Sequence, residues 1–208
     1  MESITKKTNG PAWFARYAKI RADSYVMLAS LLGHPPSEKV LEVLKNLQWD
    51  EPIPEGLDRS LKALRQASRE YPLSALEDEY NKLFVGLGSG EMVPYASWYK
   101  ERTIQSSPLA SLRSDLILLG IVRQTDSHES EDHAGALCEC MALISQEPNE
   151  IERATQAKFF QQHVASWMKS FFKDLESAKS ARFYRTVAQF GSRFLESEVE
   201  YFKYGGGA

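Results

Sequence analysis

Tyr80-Asn81-Lys82-Leu83-Phe84-Val85-Gly86-Leu87-Gly88-Ser89-Gly90-Glu91-Met92-Val93-Pro94-Tyr95-Ala96-Ser97-Trp98-Tyr99 is the stretch around which this chain is organised. A helical pattern runs through Leu76, Tyr80, Leu83 and Phe84 and stops at Gly86. Three glycines in the five positions from Gly86 to Gly90 then free the backbone, because glycine takes positive φ without steric cost. The run that follows carries Pro94, Tyr95, Trp98 and Tyr99 and reads as a loop. Large aromatics in a surface loop either fold back as plugs or wait for a partner.

Outward from this break the pattern is helical. Residues 12 to 32 place Tyr17, Tyr25, Leu28, Leu31 and Leu32 at helical spacing, with Gly33 at the C-terminal cap. Ser37 caps a second helix bearing Leu41 and Leu44, and Leu57, Leu61 and Leu64 mark a third. Pro72-Leu73-Ser74 opens the fourth, with Ser74 and Glu77 in a capping box. Ser107-Pro108 starts a fifth. Residues 124 to 131 are polar and acidic and read as a loop. A sixth helix is predicted from about Glu131 to Ser145, a long aromatic seventh from Pro148 through Phe171, and an eighth over about 180 to 203. Nothing alternates at period two for long, and no Asn-Gly hairpin signal occurs. The reading is all-α: a single-domain helical bundle over residues 1–204, with 205–208 a disordered tail.

Composition narrows the function. The 208 residues are 43% hydrophobic with net charge −3, which disfavours nucleic acid as the main partner and suits a basic peptide. Cys138 and Cys140 point to nearly opposite sides of a helix and read as buried thiols of a reducing compartment. Lys6 and Lys7 have no apolar run behind them, so no signal peptide is predicted. The apolar run from Leu116 to Val122 is too short to span a bilayer. A cytoplasmic protein without an integral membrane segment is expected.

Most chemical motifs fail on spacing. None of His34, His128, His133 and His163 has a Glu three residues before it, so no helical di-metal site is expected, and no cofactor is predicted. Gly86-x-Gly88-x-Gly90 follows a helix rather than a strand, and Glu91 after it would repel phosphate. Ser97 and His133 could meet only in space, with no nucleophile elbow. Phe160, His163 and Trp167 form one stripe of the seventh helix, a core stripe with His163 satisfied locally. Asp132-His133 sits where the sixth helix is predicted to begin. Its carboxylate either complements the helix dipole or forms an acidic rim that takes a guanidinium bidentately. Glycines, aromatics and an acidic helix start together are the parts needed to hold an extended peptide carrying Arg and apolar residues.

Tyr80-x-x-Leu83-Phe84-x-Gly86 followed by Pro94-Tyr95-x-Ser97-x-Tyr99, with Asp132-His133 downstream, resembles the signature of the TorD/DmsD/NarJ group of redox-enzyme maturation chaperones. The Phe160, His163, Trp167 stripe and the opening helix from Arg21 to Leu32 also look family-like. Ala96 and Glu131 depart from it, where relatives often carry Glu and Pro, as does the lack of Pro between Gly86 and Gly90. The resemblance implies an all-helical cytoplasmic chaperone, not an enzyme. It would bind the twin-arginine signal peptide, and also the folded part, of a molybdopterin-dependent reductase or dehydrogenase subunit, as a monomer or helix-swapped dimer. Carried over by motif, the peptide-binding residues are Tyr80, Leu83, Phe84, Gly86, Pro94, Tyr95, Ser97, Tyr99, Asp132 and His133. The alternative is a small helical enzyme or nucleotide-binding protein using the Gly86–Gly90 loop.

Overall fold

Tyr17, Tyr25, Leu28, Leu31 and Leu32, the stripe read from the sequence, all lie buried on α1 (Phe14–Gly33). The computed structural model describes residues 14–49, 53–86, 90–100, 108–122, 129–146 and 151–205. The predictions for residues 1–13, 87–89 (with Gly88), 107, 124–128, 148 and 206–208 lie outside these. Within the described residues every regular element is helical, and the only extended pairing there is an isolated antiparallel bridge between Tyr95 and His133.

α1 runs along α7 (Ala134–Gln146), while α10 (Phe183–Gly205) packs on α3 (Glu55–Glu70) and α9 (Met168–Ser177). α10 extends to Gly205, one residue into the expected tail. The crossings are tight because glycines permit it. A Cβ on Gly135 would lie 2.8 Å from the backbone N of Gly33, and one on Gly191 would lie 2.3 Å from the Phe172 ring. The core is rich in rings, with Phe190 stacked on Phe194 at 6.0 Å and Tyr25 edge-on to Phe194 at 4.6 Å.

One charge pair lies inside this apolar bundle. The Arg21 guanidinium donates to both oxygens of Glu198, at 2.6 and 2.9 Å, and to Gln156 at 3.2 Å. Tyr25 donates to the same carboxylate at 2.7 Å, and the guanidinium stacks on Tyr201. A buried pair needs this complete satisfaction, because each ion has given up its water.

Several boundaries differ from the sequence reading. Ser37 does cap α2 (Glu38–Lys45), accepting from Val40 N at 3.3 Å. Ser74 and Glu77 form no capping box. The first bonds of α4 (Leu73–Tyr80) run to Pro72 O, so Ser74 is already inside the first turn and cannot cap it. α4 ends in a wider π turn, Asn81–Val85, closed by Gly86 N donating to Asn81 O at 2.7 Å. Trp98 and Tyr99 stand on a short helix, α5 (Ala96–Lys100), not in a loop. α6 (Pro108–Leu118) follows as expected. The long seventh helix is three pieces: α8 (Arg153–Phe159), a π turn Phe160–Ala165, and α9 beyond a break at Trp167, where φ is −147°. There the Trp167 indole donates to His163 O at 2.7 Å, holding the break.

Arg21→Ala leaves Glu198 buried without its counter-charge and is expected to lower stability by about 3–5 kcal/mol, read as a fall in the urea midpoint. Gly191→Ala forces the buried Phe172 ring to move and is expected to cost about 1–3 kcal/mol in the same assay.

Candidate functional site

The end of α4, the segment before α5 and the segment before α7 converge at one side of the bundle. Tyr80 is buried, and its hydroxyl donates to Leu32 O at 3.2 Å, satisfying a carbonyl at the C-terminal end of α1. Leu83 is in the core, while Phe84 is half-buried between Tyr80 (4.9 Å) and Tyr184 (5.4 Å). Gly86, at φ 63°, turns the chain away. Gly90 returns it so closely that a Cβ there would lie 2.5 Å from Leu83 O. That close approach accounts for a glycine at this position without a phosphate.

Pro94 O accepts from Ala134 N at 2.8 Å, and Asp132 O accepts from Ala96 N at 3.0 Å. Between these two bonds Tyr95 and His133 face each other, their rings edge-to-face at 5.1 Å. Asp132 is only 2% exposed, and its carboxylate accepts from Ser97 N at 2.9 Å. It therefore caps the first turn of α5 from across the chain, because that turn has no capping side chain of its own. Burial pushes the Asp132 carboxyl up, but the hydrogen bonds from Ser130 and Ser97 outweigh it and hold it below the usual carboxylate range.

His133 is 4% exposed, and Nδ1 accepts from Gly135 N at 3.1 Å. Burial lowers its pKa, against the pull of Glu129 and Asp132. The helix predicted from about Glu131, α7 of the structure, begins at Ala134, so Asp132-His133 is not its first turn, and Asp132 is not an exposed acidic rim. Glu131 is paired bidentately with Arg113, at 3.0 and 3.1 Å. The half-exposed carboxylate beside this bridge is that of Glu129, which accepts from the Tyr95 hydroxyl. The electrostatic influence of Glu129 reaches Tyr80 as well.

The structure thus brings together Tyr80, Phe84, Tyr95, Ser97, Asp132 and His133, with Leu83, Gly86 and Pro94 shaping the backbone beneath them. Tyr99 faces elsewhere. Its ring lies 5.4 Å from Trp167, and its hydroxyl donates to Asp174 at 3.1 Å. Trp98 is the exposed aromatic, at 64%. His163 is satisfied, but by Asp115 of α6 at 2.7 Å rather than locally. Glu129 is the site residue that the sequence reading treated only as part of an acidic loop. Its signal was an acid two residues before Glu131, and nothing in spacing distinguished the two. Among the described residues no group of three His, Cys, Asp or Glu is placed to hold a metal, and no helix is long and apolar enough to cross a membrane.

A family model described as nitrate reductase delta subunit matches residues 50–173. Among solved structures, the chain is similar to a crystal structure from Archaeoglobus fulgidus of a protein proposed to be a redox enzyme maturation protein. The two are 20% identical, with a TM-score of 0.55, over 94% of this chain and 99% of that one. Among curated proteins none matches this sequence.

Both buried histidines, His133 and His163, have folded pKa values lowered by burial. The unfolded chain therefore takes up more protons as the pH falls, and stability is lost below about pH 6.5. Asp132, also lowered, adds a further loss in strong acid. The melting temperature followed by circular dichroism is expected to fall on acidification from pH 7.5, with the onset near pH 6.5 flattened when both histidines are replaced by Gln.

Proposed function

Because the chain belongs to the nitrate reductase delta subunit family of NarJ/TorD-like chaperones, we propose that it is a cytoplasmic maturation chaperone for a nitrate-reductase-like molybdoenzyme. It binds the twin-arginine signal peptide of the precursor and holds it back from export until the molybdenum cofactor is inserted. Residues 1–204 act as one domain in this reading.

One observation carries the peptide assignment: a half-exposed carboxylate, Glu129, is held by the hydroxyl of Tyr95, whose own ring is half-exposed and packs on His133. A carboxylate has about four lone-pair sites, so Tyr95 leaves acceptor capacity for a guanidinium fork. A leader arginine can bind Glu129 and lie on the Tyr95 ring, the stacking worth about 0.5–2 kcal/mol. The apolar residues that follow find half-buried Phe84 and exposed Val85, where each anchor contributes about 1.5–3 kcal/mol when fully buried. Asp132, His133, Ser97 and Pro94 work from beneath, fixing the backbone and ring of Tyr95. Tyr80 and Leu83 anchor the wall that carries Phe84, and Gly86 lets that wall end. Tyr99 sets α5 against α9 and does not touch the peptide.

Calorimetry with a twin-arginine leader peptide tests this, against the same peptide with both arginines replaced by Gln. The native leader is expected to bind, and Glu129→Gln to weaken it about tenfold, or roughly 1.4 kcal/mol, at unchanged far-UV dichroism. Equal affinity for the Gln-substituted peptide would falsify the assignment.

A further inference from the structure

A pair of adjacent arginines brings two guanidinium groups, and Glu129 accounts for one of them. The segment from 129 to 133 carries two further acids, Glu131 and Asp132. Asp132 is 2% exposed and its carboxylate accepts from Ser97 N, so it is not open to a second arginine. Glu131 stands two residues from Glu129, which puts the two Cα atoms at most about 7 Å apart. Neighbouring arginines, on Cα atoms about 3.8 Å apart, span that gap with their long stems.

A guanidinium already lies on Glu131, and it is the chain's own. Arg113 of α6 grips the carboxylate side-on, Nε to Oε1 at 3.1 Å and Nη2 to Oε2 at 3.0 Å, the fork that any arginine presents to a carboxylate. Burial across the pair is uneven: the Glu131 side chain is 15% exposed, that of Arg113 53%. The acid is set into the protein and the cation covers it from the solvent side. A pair with so exposed a member holds loosely in salt. Arg113 can swing into water without unseating its helix. Leu112 and Leu116 keep α6 buried, Asp115 keeps His163 at 2.7 Å, and Ser111 keeps the Gln162 amide at 3.1 Å. An incoming arginine repeats the same two bonds, so Glu131 does not go unpaired. A lysine, a point charge without the fork, does not.

We propose that Glu131 is the seat of a client's second arginine, and that Arg113 is its internal stand-in, exchanged guanidinium for guanidinium when the client docks. Arg113 thereby sets specificity, since a cation must match its fork to replace it. That the arginines belong to a leader rests on the reading of the preceding subsection; the site on Glu131 rests on the Arg113 pair.

The test is a gain of function. Calorimetry compares a twin-arginine leader peptide with the two peptides in which one arginine or the other is replaced by Gln. Arg113→Ala is expected to bind the twin-arginine peptide about tenfold more tightly than the native chain does, and to leave the single-arginine peptides nearly unchanged. Adding Glu131→Gln to Arg113→Ala is expected to abolish the gain. Arg113→Gln repeats the test should Arg113→Ala misfold. An arginine that merely braces α6 predicts the opposite, weaker binding of every peptide. No gain in either Arg113 variant, an equal gain for all three peptides, or a gain that survives Glu131→Gln overturns the proposal and leaves Glu129 as the leader site. The dipeptide Arg-Arg amide, which carries no other leader feature, is titrated in parallel by amide chemical shifts. If Arg113→Ala strengthens its binding and Glu131→Gln removes that gain while no leader binds, the client reading falls and the site on Glu131 stands.

Discussion

The Glu79 carboxylate, buried at the end of α4, accepts from three successive backbone N–H groups: Arg182 at 2.7 Å, Phe183 at 3.1 Å and Tyr184 at 2.8 Å. These are donors at the start of the 23-residue helix α10, which no local side chain satisfies. Left unmet in a buried position, each would cost about 1–3 kcal/mol. Glu91 does the same for Lys179 N and Ser180 N just upstream. The core helix is thus started by carboxylates some ninety to a hundred residues away in the chain, as the separations of 88 to 105 show. Because Glu79 stands on α4, the bonds that start α10 also fix the direction in which α4 runs into its π turn.

The same device recurs at the candidate site. Asp132 starts α5 as Glu79 starts α10, and the two bonds around Tyr95 and His133 clamp the segments together. Capping from a distance converts a run of glycines and rings, which on its own would wander, into one wall with one orientation. Residues that a motif places in contact with a ligand therefore split into two kinds. Phe84, Tyr95 and the unheralded Glu129 reach the half-exposed surface, while Asp132, His133 and Leu83 hold them from the interior.

What could be read before the structure was whatever depends on near neighbours along the chain. Leu28, Leu31 and Leu32 announce a buried helical stripe, Ser37 its successor's cap, and Gly86 the end of α4, because each acts over one turn. What could not be read depends on distance. Ser74 looked like a cap, yet Pro72 O accepts the first bonds. Asp132 looked like the acid of its own helix, yet its partner is Ser97 N, 35 residues earlier. Arg21 on α1 was visible as a cation among apolar residues, but nothing local names Glu198 as its counterpart. The π turns at Asn81–Val85 and Phe160–Ala165 have the same hydrophobic spacing as the helices they widen, so periodicity passes through them without a mark.

Arg21 and Glu198 are separated by 177 residues. On the ribosome the guanidinium emerges 177 residues before its carboxylate. Until Glu198 has emerged, α1 cannot enter the bundle without carrying a bare cation into apolar surroundings. The candidate site leans on the end of α1, through the Tyr80 hydroxyl and the contact of Gly135 with Gly33. The wall that carries Phe84 and Tyr95 is thereby tied to a residue far downstream: a nascent chain lacking Glu198 has no settled α1 for that wall to rest on.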